Sequence, residues 1–117
     1  CYNASPDSMK AALDVLKNRN GNRKVAILGT MRELGDEAKK AHREVAEYAK
    51  DAADLLITTG EYVNDYKLGF GEENIIIYDT KEELINNISK VIKADDVVLV
   101  KASRGAKFEE IVSKLEK

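Results

Sequence analysis

A chain of 117 residues that is 44% hydrophobic carries enough apolar material for one domain with its own core, which excludes a disordered tail. Charged residues make up 34% of it, yet 19 Lys and Arg against 21 Asp and Glu leave a net charge of only −2. That balance, with no long run of one sign, argues against a nucleic-acid-binding module and against an acidic or basic interaction tail.

In chain order, the first signal is a helix start at Ser5-Pro6-Asp7-Ser8, where Ser5 can cap and Pro6 suits the first helical position. Met9, Ala12, Leu13 and Leu16 then recur at helical spacing, until Asn20-Gly21-Asn22 marks a turn. Residues 24–29 (KVAILG) read as a short buried strand, followed by a loop over 30–35. Asp36 is expected to cap a long helix with Ala38, Ala41, Val45, Tyr48, Ala49 and Ala52 on its buried face. Residues 55–59 (LLITT) form the next strand, 61–68 a short helix, and Gly69 and Gly71 a turn. Residues 74–78 (NIIIY) are a third strand. Thr80 and Glu83 fit a capping box before a helix that buries Leu84, Ile85, Ile88, Val91 and Ile92. Residues 97–101 are a fourth strand, and Phe108, Ile111, Val112 and Leu115 give a last helix its apolar stripe.

Apolar strands alternating with helices predict an α/β fold, a Rossmann-like, mostly parallel sheet with helices on both faces. The whole of residues 1–117 reads as a single domain, and residues 1–3 as the end of a further strand. The single cysteine, Cys1, allows no internal disulfide, so a reducing, cytoplasmic setting is expected. The single histidine, His42, leaves too few ligands for a zinc site of the Cys/His kind. No apolar run approaches the roughly 20 residues of a membrane span, and no signal peptide is visible. The first residue is not Met, so the chain is expected to be cut from something longer.

Ligands of such sheets sit beyond the carboxyl ends of the strands. Four segments qualify: 3–8, the loop 29–35, the region after Gly60, and the loop 101–105. The loop GTMRELG lacks the Gly-Lys-Ser/Thr of a phosphate loop and is not G-x-G-x-x-G, so its glycines read first as turn residues. Lys101, Ser103 and Arg104 form a better constellation. Arg can hold a carboxylate or phosphate through two hydrogen bonds, Lys supplies a compact charge, and Ser103 can bind an anion or cap the helix. Anion site and solvated basic loop stand about even on these residues alone, since cations at a helix start oppose its dipole. His42 reads as a partly buried packing residue, because no nucleophile neighbours it. Glu33, Glu109 and Glu110 read as surface carboxylates.

Taken together, CYNASPDSMKAAL, ILGTMRELG, AHREVAEYA, LLITTG and VKASRGAKFEEIV, in this order, resemble the C-terminal domain of the Mur ligase family. The resemblance is to its branch of UDP-N-acetylmuramoyl-tripeptide–D-alanyl-D-alanine ligases of bacterial peptidoglycan synthesis. It implies a three-domain enzyme whose central domain carries the P-loop and the magnesium ligands. There ATP phosphorylates the carboxylate of the UDP-linked tripeptide. The amine of D-Ala-D-Ala then attacks the acyl phosphate, forming an amide and releasing phosphate. The C-terminal domain is expected to close over the central one, its partner, and no catalytic residue is expected within it. Turnover by the domain alone, and ATP or Mg bound to it alone, are not expected.

By position, the resemblance places Tyr2 and Asn3 near the nucleotide, and Lys101, Ser103 and Arg104 on the substrate cleft. His42 matches a family histidine without an assigned role. The departures cluster. The family's Asp before x-Y-N would precede Cys1, and Ser5 stands where an Asn is usual. Thr30 replaces an Asp, Arg32 an apolar residue and Ala102 a Gly, while Ala106 and Phe108 stand where methionines are common. These departures motivate a second expectation: a scaffold redesigned to bind a protein partner through Thr30, Arg32, Ala102, Ala106 and Phe108. Phe108 also begins the last apolar stripe, which favours a core position for it.

Overall fold

The computed structural model of the chain describes residues 4–102. Its elements are α1 (Pro6–Lys17), β1 (Arg23–Leu28), a 3-10 turn (Gly35–Glu37), α2 (Ala38–Ala49), β2 (Leu55–Thr59), α3 (Val63–Phe70), β3 (Ile75–Tyr78), α4 (Lys81–Val91) and β4 (Asp96–Lys101). The four strands form one parallel sheet in the order β3-β2-β1-β4. The chain steps outward from β1 to β3, and α4 then returns it to the other side of β1. The strand order therefore reverses between β1 and β4, the position at which open α/β sheets form a ligand crevice. The predicted last helix and the segment 1–3 lie outside the described residues.

Local chemistry explains most of the boundaries. At α1 the Ser5 hydroxyl accepts from the Ser8 amide at 3.1 Å, and the Ser8 hydroxyl accepts from the Ser5 amide at 2.9 Å. Pro6 follows at the first helical position, so two orphan donors are satisfied where a proline is harmless. Before α4, Thr80 accepts from the Glu83 amide at 3.0 Å, while Glu83 reaches one residue further back than a capping box requires, to the Asp79 amide. Leu84 and Ile88 are fully buried, whereas Ile85, Val91 and Ile92 pack from the rim.

Three expectations are overturned. Asp36 does not cap α2: the chain enters through a 3-10 turn, Glu37 holds the cap position in helical conformation, and no side chain bonds there. Tyr48 is exposed, its hydroxyl donating to Asp14 of α1 at 2.5 Å, and Ala46 takes the buried position beside Val45. Gly69 is not in a turn but inside α3. A Cβ at residue 69 would overlap the Arg43 carbonyl and come within 2.8 Å of the Ala46 Cβ, so the glycine is what lets α3 pack directly on α2.

The sheet alternates strictly. Ala26, Leu28 and Leu56 face α1, α2 and α3, together with Met9, Leu13, Val45, Ala49 and Tyr66. Val25, Ile27, Leu55 and Ile57 face Leu84 and Ile88 of α4. Each fully buried Leu, Ile or Val stabilises by roughly 1.5–3 kcal/mol, so these two clusters carry the fold. At the amino end of the sheet, Arg23 and Asp96 are register partners on β1 and β4. They form a two-pronged ion pair at 3.0 and 2.7 Å, and Arg23 also donates to the Val91 carbonyl.

Candidate functional site

The carboxyl end of β1 is where the structure concentrates buried polar chemistry. Three side chains from three different elements fasten the strand exit. Thr58 of β2 donates its hydroxyl to the Leu28 carbonyl at 2.6 Å. Tyr66 of α3 donates to the Gly29 carbonyl at 2.5 Å. The Met31 amide donates to Nε2 of His42, on α2, at 2.9 Å. The Gly29 amide donates across the switch point to the Lys101 carbonyl at 2.9 Å. The carbonyls of Leu28 and Gly29 and the amides of Gly29 and Met31 are thus paired within the protein, as buried backbone requires.

His42 is fully buried, which the packing reading only partly anticipated. Its Nδ1 lies 2.6 Å from the Ala38 carbonyl, an acceptor, so Nδ1 holds the proton and Nε2 is left to accept from Met31. The ring stacks on Tyr62 at 4.2 Å and meets Tyr66 edge-on at 5.1 Å. Burial pushes the imidazole below its ordinary pKa, against the smaller upward pulls of the Ala38 carbonyl, Asp65 and Glu61. Burial likewise pushes the Tyr66 phenol far up, so it is a permanent donor.

Above this floor opens a cleft of about 550 Å³, lined by Thr30, Met31, Arg32, Glu33, Leu34, Gly35, Ala38, Glu61 and Tyr62. Arg32, Glu33 and Glu61 are exposed on its rim. Glu33 holds φ at 63°, in the left-handed region that non-glycine residues seldom adopt. Gly60, at φ 118°, has Thr30 where a Cβ would stand, so the β2 exit passes close against the β1 loop.

The predicted site residues fall into three groups. Thr30 and Arg32 share the cleft. Lys101 and Ala102 stand beside Gly29 at the end of β4, but neither lines it. Ala102 packs against the α4-side cluster, so strand alternation turns Lys101 to the opposite face. Tyr2, Asn3, Ser103, Arg104, Ala106 and Phe108 lie outside the described residues. The sequence reading missed Tyr62 and Tyr66 altogether and gave His42 no polar role. Apart from the Ala38 carbonyl, one turn back on the same helix, their partners are backbone atoms and rings further along the chain, and no local spacing encodes them. Among the described residues no group of three or more His, Cys, Asp or Glu could hold a metal ion, and no helix is long and apolar enough to cross a membrane.

Comparison with known proteins then decides the family. The family model for the Mur ligase, glutamate ligase domain matches residues 1–104. The chain belongs to the Mur ligase family. Within that family it is 37% identical, over 95% of its length, to the UDP-N-acetylmuramoyl-tripeptide–D-alanyl-D-alanine ligase of Rickettsia prowazekii. It is also 37% identical, over 97% of its length, to the enzyme of the same name from Bacillus subtilis. The chain spans about a quarter of these Mur ligases, 25% and 26% of their lengths. Among solved structures, it superposes on MurF of Thermotoga maritima in complex with ADP with a TM-score of 0.78 at 30% identity, covering 98% of this chain and 26% of that one. A MurF of Acinetobacter baumannii gives a TM-score of 0.85 at 29% identity, covering 99% and 26%. These matches lend no support to a redesigned scaffold with a protein partner.

Proposed function

We propose that this Mur ligase domain is the closing, C-terminal part of an ATP-driven ligase that joins D-Ala-D-Ala to the UDP-linked muramoyl tripeptide, and that it does not turn over by itself. The observation that carries the reading is the likeness over nearly the whole chain to several ligases of that name. In this reading ATP phosphorylates the tripeptide carboxylate on the central domain. The dipeptide amine attacks the acyl carbon, the C–O bond to phosphate breaks, and an amide and inorganic phosphate result.

The described residues do not fit the ATP–magnesium group on their own. They offer no metal-holding cluster, and the loop after β1 has no lysine to reach a phosphate, its one cation, Arg32, standing beside Glu33. No step is therefore assigned to them through that group. Lys101 sits where the strand order reverses, beside Gly29, which supports a role for it at the substrate side with Ser103 and Arg104. Tyr2 and Asn3 are the candidates for nucleotide contact. Closure of this edge over the central domain would exclude water from the acyl phosphate, which water otherwise hydrolyses.

The test is a chimera that joins this chain to the first two domains of the Bacillus subtilis relative. With ATP, magnesium and the UDP-tripeptide, it is expected to release phosphate only when D-Ala-D-Ala is added. Lys101→Met should lower the turnover, and the chain alone should release none. Turnover by the chain alone, or release indifferent to the dipeptide, overturns the reading.

A further inference from the structure

We propose that His42 is the positioning residue of the cleft: a neutral imidazole that holds both of its walls and releases the wall formed by the loop after β1 on taking a second proton. One wall is the loop 29–35 after β1, the other the segment 60–62 after β2. His42 touches both. Its Nε2 accepts from the Met31 amide at 2.9 Å, and its ring face lies on Tyr62 at 4.2 Å with only 25° between the planes. Thr30 and Arg32 flank Met31 in the chain, so the amide that His42 fixes lies between the Cα atoms that carry the two cleft side chains.

The ring's two bonds are mutually dependent. The Ala38 carbonyl can only accept, so it fixes the proton on Nδ1, and the Met31 amide can only donate, so it needs Nε2 bare. A second proton has only Nε2 to occupy. Two donors would then face each other with both groups buried, and the Met31 bond cannot survive. The groups facing the ring are Asp65 and Tyr66 from α3, Glu61 and Tyr62 from the segment before it, the Ala38 carbonyl from α2 and the Met31 amide from the β1 loop. The two carboxylates favour the imidazolium, but burial outweighs them, so the holding form prevails at neutral pH. The inference stands on this geometry and does not rest on the ligase reading.

The chain contains one histidine, so its ring nitrogens can be followed without ambiguity in the 15N-labelled protein. At neutral pH the ring is expected to be uncharged, with Nδ1 protonated and Nε2 bare. As acid titrates it, the Met31 and Arg32 amide resonances should move with the ring's own midpoint. Met31 protection, taken against the intrinsic exchange rate at each pH, should fall roughly tenfold, the loss of one net hydrogen bond. Ile27 and Ile57, inside the sheet, should stay protected. His42→Gln, whose side-chain carbonyl can accept from Met31, should keep the protection and lose its pH dependence. His42→Phe should keep the stacking and lose the protection. An imidazolium or the opposite tautomer at neutral pH, a Met31 amide indifferent to the titration, opening of Ile27 together with Met31, or a His42→Phe chain that protects Met31 as the parent does would each overturn the proposal.

Discussion

The two ends of β1 are fastened by different chemistry. At the entry, Arg23 and Asp96 lock β1 to β4 through full charges, and Asp96 also accepts from the Lys93 amide at 2.8 Å. At the exit, Thr58, Tyr66 and His42 hold Leu28, Gly29 and Met31 with neutral groups only. The difference follows from solvent. The Arg23 side chain keeps 28% of its surface exposed, so its charge is partly hydrated even though the Asp96 side chain keeps only 2%. Nothing at the exit floor is exposed, and an unpaired charge there would cost several kcal/mol. Charge serves where only strands must be aligned. Neutral polar groups serve where a loop must be held open to a cleft.

The contrast can be broken by mutation. The largest effect is expected at the charged end. Arg23→Met strands a nearly buried carboxylate and should lower stability by about 3 kcal/mol in urea unfolding, with Asp96→Asn costing less because its partner can turn to water. Tyr66→Phe leaves the buried Gly29 carbonyl without its donor and should cost about 2 kcal/mol, while raising exchange in the loop 29–35 more than in β4. Thr58→Val, nearly the same shape, should cost about 1 kcal/mol. Thr59→Val provides the control one residue on. The Thr59 hydroxyl is buried and, among the described residues, lacks a hydrogen-bond partner, so replacing it should be neutral or slightly stabilising. Equal losses at residues 58 and 59 would mean that the strand-exit bonds contribute nothing particular.

The two ends should also separate by pH. The hydrogen bond from Arg23 holds the Asp96 carboxyl below its ordinary pKa. Its contribution is complete above an unfolded carboxyl's pKa of about 3.9 and is lost as pH falls through the lower folded value. His42 is also held below its ordinary pKa, mainly by burial. The unfolded chain therefore takes up a proton first, and stability declines as pH falls below about 6.5, until the folded ring titrates too. His42→Gln should remove the decline between about pH 7 and 5 and leave the deeper acid loss, and Asp96→Asn should do the reverse. A single decline common to both variants would erase the distinction.

Much of this was legible in the chain. Ser5-Pro6 and Thr80 are local signals with local mechanisms, and both helices start where they stand. The apolar strands KVAILG, LLITT and NIIIY needed no partner to be recognised, because a strand buried on both faces is apolar throughout. What misled was local too. Asp36 resembles a helix cap but sits in a 3-10 turn, and Gly69 resembles a turn residue but is a packing surface. Of the cleft, the loop 29–35 could be named because it follows a strand end, and Thr30 and Arg32 within it because they depart from the family's pattern. The roles of His42, Tyr62 and Tyr66 could not.

The sequence by itself determined the parallel α/β class, the position of its loops and the resemblance to the Mur ligases, because periodicity, capping and ordered motifs are all written within a few residues. Only the tertiary structure decided which loops share a cleft, which face Lys101 turns to, and that the single histidine is a neutral strut beneath that cleft. The physical reason is that the ring's proton is placed by a carbonyl one helical turn back together with an amide from a separate loop, and only the fold brings that amide, Tyr62 and Tyr66 to the ring.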